Sequence, residues 1–222
     1  MRQSLAVRGS DWVTGLFAGM ARLRRAPAFH PAGAVFAGEL TLPDGWPGMP
    51  GAVVRQVTVR LSKGVGLPGD WPDVRGLAIR IPDAAGQGRP VDLLLSTTGS
   101  GRLTRWLPVF RRGWTRGCVY GSVMPFRTDH GLVSMAAIPD PTPGRLPESV
   151  HLMLAKPLGR WRAWGRLVLT EHLPDAQIRF DPIVNVHPNL VPVPRALAQL
   201  RRLAYAGSRR GNPTGDREIR AP

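Results

Sequence analysis

Residues 53–62 read VVRQVTVRLS, and the alternation inside this stretch decides the fold. Val57, Val59 and Leu61 share one face of an extended chain, and Thr58, Arg60 and Ser62 share the other. That is the period-two pattern of a strand with one buried face. The flanking text repeats it. Runs at 34–42 (AVFAGELTL), 76–82 (GLAIRIP), 91–96 (VDLLLS), 119–126, 132–138, 150–154, 165–169 and 177–180 are further strand candidates, separated by turn signals such as Pro43-Asp44-Gly45. Eight or nine short strands predict a mainly β fold with a few helices, an antiparallel β-barrel or a sandwich. Trp12, Leu16, Met20 and Leu23 recur at helical spacing behind the cap Ser10-Asp11, and 194–205 (PRALAQLRRLAY) has a helical pattern with proline at its start. The piece 102–112 (RLTRWLPVFRR) reads as a short helix or an irregular excursion. Residues 1–222 form one expected domain, with a helical arm at 1–26 and a flexible tail at 211–222.

Composition narrows the function classes. With 43% hydrophobic residues, 26 Gly and 23 Pro, the chain can build a sizeable core with many turns, and wholesale disorder is excluded. The single cysteine, Cys118, excludes an internal disulfide framework and a thiolate-built zinc site. No two of the five histidines pair at a local metal-ligand spacing. No stretch approaches the ~20 uninterrupted apolar residues of a membrane span. Residues 12–21 are apolar, but Arg24 and Arg25 follow rather than precede them, the wrong polarity for a secretory signal. A cytoplasmic location without a membrane span is the expectation. The net charge of +15 is almost all arginine, since Lys63 and Lys156 are the only lysines. These arginines are spread along the chain, so specific nucleic-acid binding is not expected. An arginine-rich polyanion binder stays open as an alternative.

Longer phrases carry a more specific signal. Residues 28–34 (AFHPAGA) resemble the VVHAKGAGAFG segment of the haem catalases, which holds their distal histidine. Next, 57–66 (VTVRLSKGVG) resembles VRFSTVAG, and 71–79 (WPDVRGLAI) resembles DPRGFAVKF. Residues 92–97 (DLLLST) stand where DLVGNN falls, and 164–169 (WGRLVL) resembles VGKLVLN. Phe180-Asp181-Pro182 to Leu190-Val191-Pro192 resembles FSPANLVPG, and 201–205 (RRLAY) resembles the RLFAY of the proximal helix. These phrases occur in the family's order, and the chain is similar to a minimal member of the haem catalase superfamily.

The resemblance implies a catalase-like barrel enclosing haem b. Tyr205 would be the axial ligand of the ferric iron, and Arg201, four residues earlier on one helix face, favours its phenolate. His30 would be the distal acid–base group, taking a proton from the bound hydroperoxide and returning it to the departing oxygen. Ser62 matches the serine that holds the distal histidine, and Arg60 matches an arginine that pairs with a haem propionate. Phe110 resembles part of the aromatic wall near the haem. Four departures stand out. Ser96 replaces the distal asparagine, Pro27 and Asn212 stand where propionate arginines fall, and Gly207 stands for an aspartate. The implied function is a haem-dependent oxidoreductase cleaving hydrogen peroxide or organic hydroperoxides. A peroxidase fits these departures better than strong catalase activity, with an electron donor the sequence does not name. The alternatives are a non-catalytic haem- or apolar-ligand-binding barrel and the polyanion binder. Homo-oligomerisation is left open.

Overall fold

The computed structural model describes residues 33–193, apart from Gly48, Asp175, Gln177 and Ile183. Ten strands follow in chain order: β1 (Gly33–Leu42), β2 (Val53–Lys63), β3 (Arg75–Ile81), β4 (Val91–Thr97), β5 (Tyr120–Gly121), β6 (Phe126–Thr128), β7 (Gly131–Pro139), β8 (Ser149–Ala155), β9 (Arg162–His172) and β10 (Val191–Pro192). Every pairing is antiparallel. The order β1-β2-β3-β4-β5-β7-β8-β9 closes because β9 pairs back onto β1, for example Leu167 with Leu40. The result is an eight-stranded barrel. β6 forms a hairpin with β7, and β10 adds to its outer edge. Among the described residues the only helical element is a single 3-10 turn, Thr104–Trp106.

The alternation expected at 53–62 sets the two faces of the wall. Val57, Val59 and Leu61 are buried, and they join Leu40, Leu42, Leu77, Ile79, Ile81, Val91, Leu93, Leu95, Tyr120, Met135, Ala137, Val150, Leu152 and Leu167 in one core cluster. Each of the eight barrel strands contributes to this cluster, so it fills the lumen, as the diameter of an eight-stranded barrel allows. Gly38 lets the wall tighten there, because an added Cβ would lie 2.7 Å from the carbonyl of Val168. At one end Trp46 packs edge-on to Trp164, centroids 5.7 Å apart, while Trp164 Nε1 donates to the Gly45 carbonyl at 2.8 Å.

Most strand expectations hold within a residue or two, and β9 extends three residues beyond expectation at each end. Two do not hold as written. The run 119–126 is divided into β5 and β6 by a tight turn in which Val123 adopts φ 60° and the Ser122 hydroxyl bonds the Met124 carbonyl at 2.7 Å. The run 177–180 forms no strand among its described residues. Its apolar content is used instead to seat Phe180, which is buried beneath the Arg80 guanidinium at 5.3 Å. The expected helices at 1–26 and 194–205 and the tail at 211–222 lie outside the described residues. Among those described, no helix is long and apolar enough to cross a membrane.

Candidate functional site

The strand register brings three of the expected site residues onto one face. Ser62 of β2 is directly opposite Gly76 of β3, and Gly76 is directly opposite Ser96 of β4. The row continues to Gly33 of β1 on one side and Gly121 of β5 on the other. Glycine and serine therefore alternate across five adjacent strands. With neighbouring strands about 4.8 Å apart, the two serines stand about 10 Å from each other. Ser62 and Ser96 are both half-buried. They face away from the lumen, because Leu61 and Leu95 beside them point into it.

Gly76 makes room for Ser62. An added Cβ there would lie 2.8 Å from the Ser62 hydroxyl oxygen. Gly33 makes room for Arg60 in the same way, since an added Cβ would meet Arg60 Nε at 2.7 Å. Glycine inside a strand weakens it and commonly marks a close approach. Arg60 opens the adjacent row on this face, Val35–Arg60–Ala78–Leu94, in which Val35 is buried and the other three are half-buried. Burial pulls the Arg60 guanidinium below its ordinary pKa by stripping its hydration. The outward face of β1–β4 thus offers two hydroxyls and one guanidinium among Gly33, Gly76, Ala78, Val35 and Leu94. Arg60 and Ser62 themselves fill the space over Gly33 and Gly76, and the guanidinium can pair with an acid brought to this face.

The third row is closed by an ion pair. Arg80 donates to the Asp92 carboxylate from Nε and Nη2, both at 2.7 Å. The same carboxylate accepts from the Asp181 backbone N–H at 2.7 Å and Asn185 Nδ2 at 2.8 Å, so it docks the chain after β9 onto the wall. His187, in that chain, is buried and stacks on Trp46 at 4.8 Å; burial lowers its pKa. Beside it lies a cavity of about 30 Å³ lined by Asp92, Ser122, Asn185 and His187. This has room for a water or two and no more.

The remaining site expectations fare differently. Phe110 is 54% exposed, on the segment that pairs with the ends of β3 and β4 through Val109–Thr97 and Arg111–Asp73 hydrogen bonds. His30, Arg201 and Tyr205 lie outside the described residues, as do Pro27, Gly207 and Asn212. The lumen, where the strands were expected to enclose the haem, is packed with side chains, and Arg60, Ser62 and Ser96 stand on the opposite face. Gly33, Gly76 and Gly121 were not singled out by sequence reading, although each is a glycine in a strand next to apolar alternation. No family model matches the chain, and no curated protein matches it.

Proposed function

We propose that this chain is a haem-dependent, catalase-like oxidoreductase that cleaves hydrogen peroxide or organic hydroperoxides, with its cofactor seated against the outward face of β1–β4. The observation that carries the reading is the shared row. Ser62 and Ser96 flank the same glycine, and Arg60 stands one outward-facing position from Ser62 on β2. The order of catalase-like phrases along the sequence, which assigned Arg60, Ser62 and Ser96 their roles, supports it as well.

The residues present fit such a group. Arg60 and Ser62 take the space over Gly33 and Gly76, so the group would lie against these two side chains rather than on bare backbone. Arg60 would pair its fixed positive charge with a carboxylate on the edge of the ring. Bound haem b supplies the two electrons that break the peroxide O–O bond. The rest falls to the chain's own groups. His30 stands three positions before Gly33, a span of at most about 11 Å, and Gly33 is paired with Ser62. The Ser62 hydroxyl would accept from the imidazole N–H of His30 and hold its ring. The other ring nitrogen would take the peroxide proton and deliver it to the leaving oxygen. Ser96, with its hydroxyl in place of a longer amide, would donate to the peroxide from further back. This favours peroxidase turnover over rapid disproportionation. Tyr205 would ligate the iron as a phenolate, with Arg201 stabilising the anion.

The test is an absorption spectrum of the full chain titrated with haem. A Soret band that changes on adding hydroperoxide is expected, with Tyr205→Phe losing the tyrosinate charge-transfer features. His30→Ala should keep the haem and lose the peroxide response. No Soret band at saturating haem overturns the reading. A Soret band that never responds to peroxide leaves the non-catalytic haem-binding barrel.

A further inference from the structure

The chain between β4 and β5 folds back over the barrel wall and locks onto the loop between β8 and β9. An added Cβ on Gly121 would lie 2.6 Å from Thr98 Oγ1 and 3.4 Å from the Arg105 carbonyl, so residues 98–105 cross β5 at contact distance. Arg105 is buried. Its Nη1 donates to the Lys156 carbonyl at 3.4 Å and its Nη2 to the Gly159 carbonyl at 2.8 Å. The guanidinium lies 4.2 Å over the Trp161 ring, and Trp161 Nε1 returns a hydrogen bond to the Ser100 carbonyl at 3.4 Å.

What the two locked loops turn outward is apolar and basic. Leu103 is 75% exposed, Leu158 60% and Leu107 37%. Arg102, Lys156, Arg160 and Arg162, all exposed, stand among them. No aspartate or glutamate occurs at 93–128 or at 149–170. Burial lowers the Arg105 pKa, and the like charge of Arg102 lowers it further.

From this patch we infer that the protein docks on an anionic lipid surface, with Leu103 and Leu158 entering the interface and the surrounding cations facing the headgroups. The charge sign and the aliphatic tips select this occupant. Single-stranded nucleic acid is held by bases stacking on aromatic faces. Here Arg105 covers a face of the Trp161 ring, Trp106 is half-buried, and the side chains standing furthest into solvent are leucines, which offer no such platform. A second copy of the chain would bring the same cations face to face. The Arg105 and Trp161 contacts hold the two loops in place before docking, so little order is lost on binding. The inference does not depend on the haem reading.

The experiment sediments the full chain with vesicles of phosphatidylcholine alone and of equal parts phosphatidylcholine and phosphatidylglycerol. Partition into the anionic vesicles and not the neutral ones is expected. The pair Leu103→Ser and Leu158→Ser, which leaves the net charge unchanged, should lower that partition roughly tenfold or more while leaving binding to single-stranded RNA unchanged. The pair Arg102→Gln and Arg160→Gln should lower it about fivefold for each charge removed. All four side chains are exposed, and an unchanged circular dichroism spectrum verifies the fold of each variant. Partition of the leucine variant equal to wild type overturns the inference, because adsorption would then follow net charge alone. So does a parallel loss of RNA binding, which would make the patch a polyanion site.

Discussion

The hydroxyl oxygen of Ser62 occupies the space that a side chain on Gly76 would take, 2.8 Å from where its Cβ would stand. Gly76 does not have a left-handed backbone, so alanine is allowed there and the conflict is with Ser62 alone. A serine side chain escapes by turning to another staggered rotamer. Gly76→Ala should therefore cost no more than about 1 kcal/mol in urea unfolding. Its peroxide reactivity should fall as far as that of Ser62→Ala. Combining the two should add little more than either alone, the non-additivity of residues sharing one contact. Strictly additive losses would show that Ser62 and Gly76 act separately.

Asp92 anchors the segment after β9. Its carboxylate takes two bonds from Arg80, one from the Asp181 N–H and one from Asn185 Nδ2, and its own N–H bonds the Asn185 carbonyl at 2.9 Å. The Asp92 side chain is fully buried and that of Arg80 is 24% exposed. Asp92→Asn leaves Arg80 without its counter-charge and should destabilise by about 2–4 kcal/mol. Limited proteolysis at 178–190 should accelerate in the variant, with the barrel strands still protected. Cleavage at the wild-type rate would mean that Phe180 and His187 dock the segment without the ion pair.

Much of this wall was legible at 53–62. Val57, Val59 and Leu61 against Thr58, Arg60 and Ser62 already separates a core face from a polar one. The same alternation argued that Arg60 and Ser62 face away from the core, yet the family resemblance suggested a haem within the strands. Register was not legible. That Ser62 and Ser96 meet through Gly76 depends on the 64–74 loop, where the Asp73 carboxylate accepts from the N–H groups of Val65, Gly66 and Leu67 at 2.9–3.0 Å. Nor was the division of 119–126, because Val123 at φ 60° is a backbone choice that an apolar run does not announce. The closure of β9 onto β1 joins residues more than a hundred positions apart, beyond the reach of local pattern.

Two groups set separate acid transitions. His187 is buried with its ring on Trp46, and its Nδ1 accepts from the Asn189 N–H at 3.1 Å. Burial holds its folded pKa below the ordinary 6.5, so the unfolded chain binds the extra proton first. Its contribution to stability is complete above pH 6.5 and declines as pH falls below that value. Asp140 is also lowered, first by the Ser149 hydroxyl and then by His151 and Arg166. Its contribution is present above the ordinary 3.8 and is lost as pH falls through the folded value. Urea midpoints measured from pH 8 to pH 3 should fall in two stages. His187→Phe, which keeps a ring on Trp46, should flatten the upper one. An unchanged upper stage would assign it to another histidine.

Arg75 is buried at the opposite end of the barrel from Trp46, and no carboxylate lies within ion-pair distance of it among the described residues. Its charge is held by carbonyls instead. Nε donates to Arg111 at 3.2 Å, Nη2 to Arg112 at 2.6 Å and to Trp71 at 3.3 Å, and the guanidinium lies 4.6 Å over the Trp114 ring. These bonds tie the 64–74 loop to the 108–112 segment that carries Phe110. Lysine keeps the buried charge but cannot reproduce the fork, so Arg75→Lys should cost about 2–4 kcal/mol. Methionine gives up the same bonds without leaving a poorly solvated cation behind. Arg75→Met should therefore cost less, about 1–2 kcal/mol. Equilibrium unfolding of the two variants in urea decides it. If the lysine variant proves the more stable, the bare positive charge rather than the forked geometry holds the two loops together.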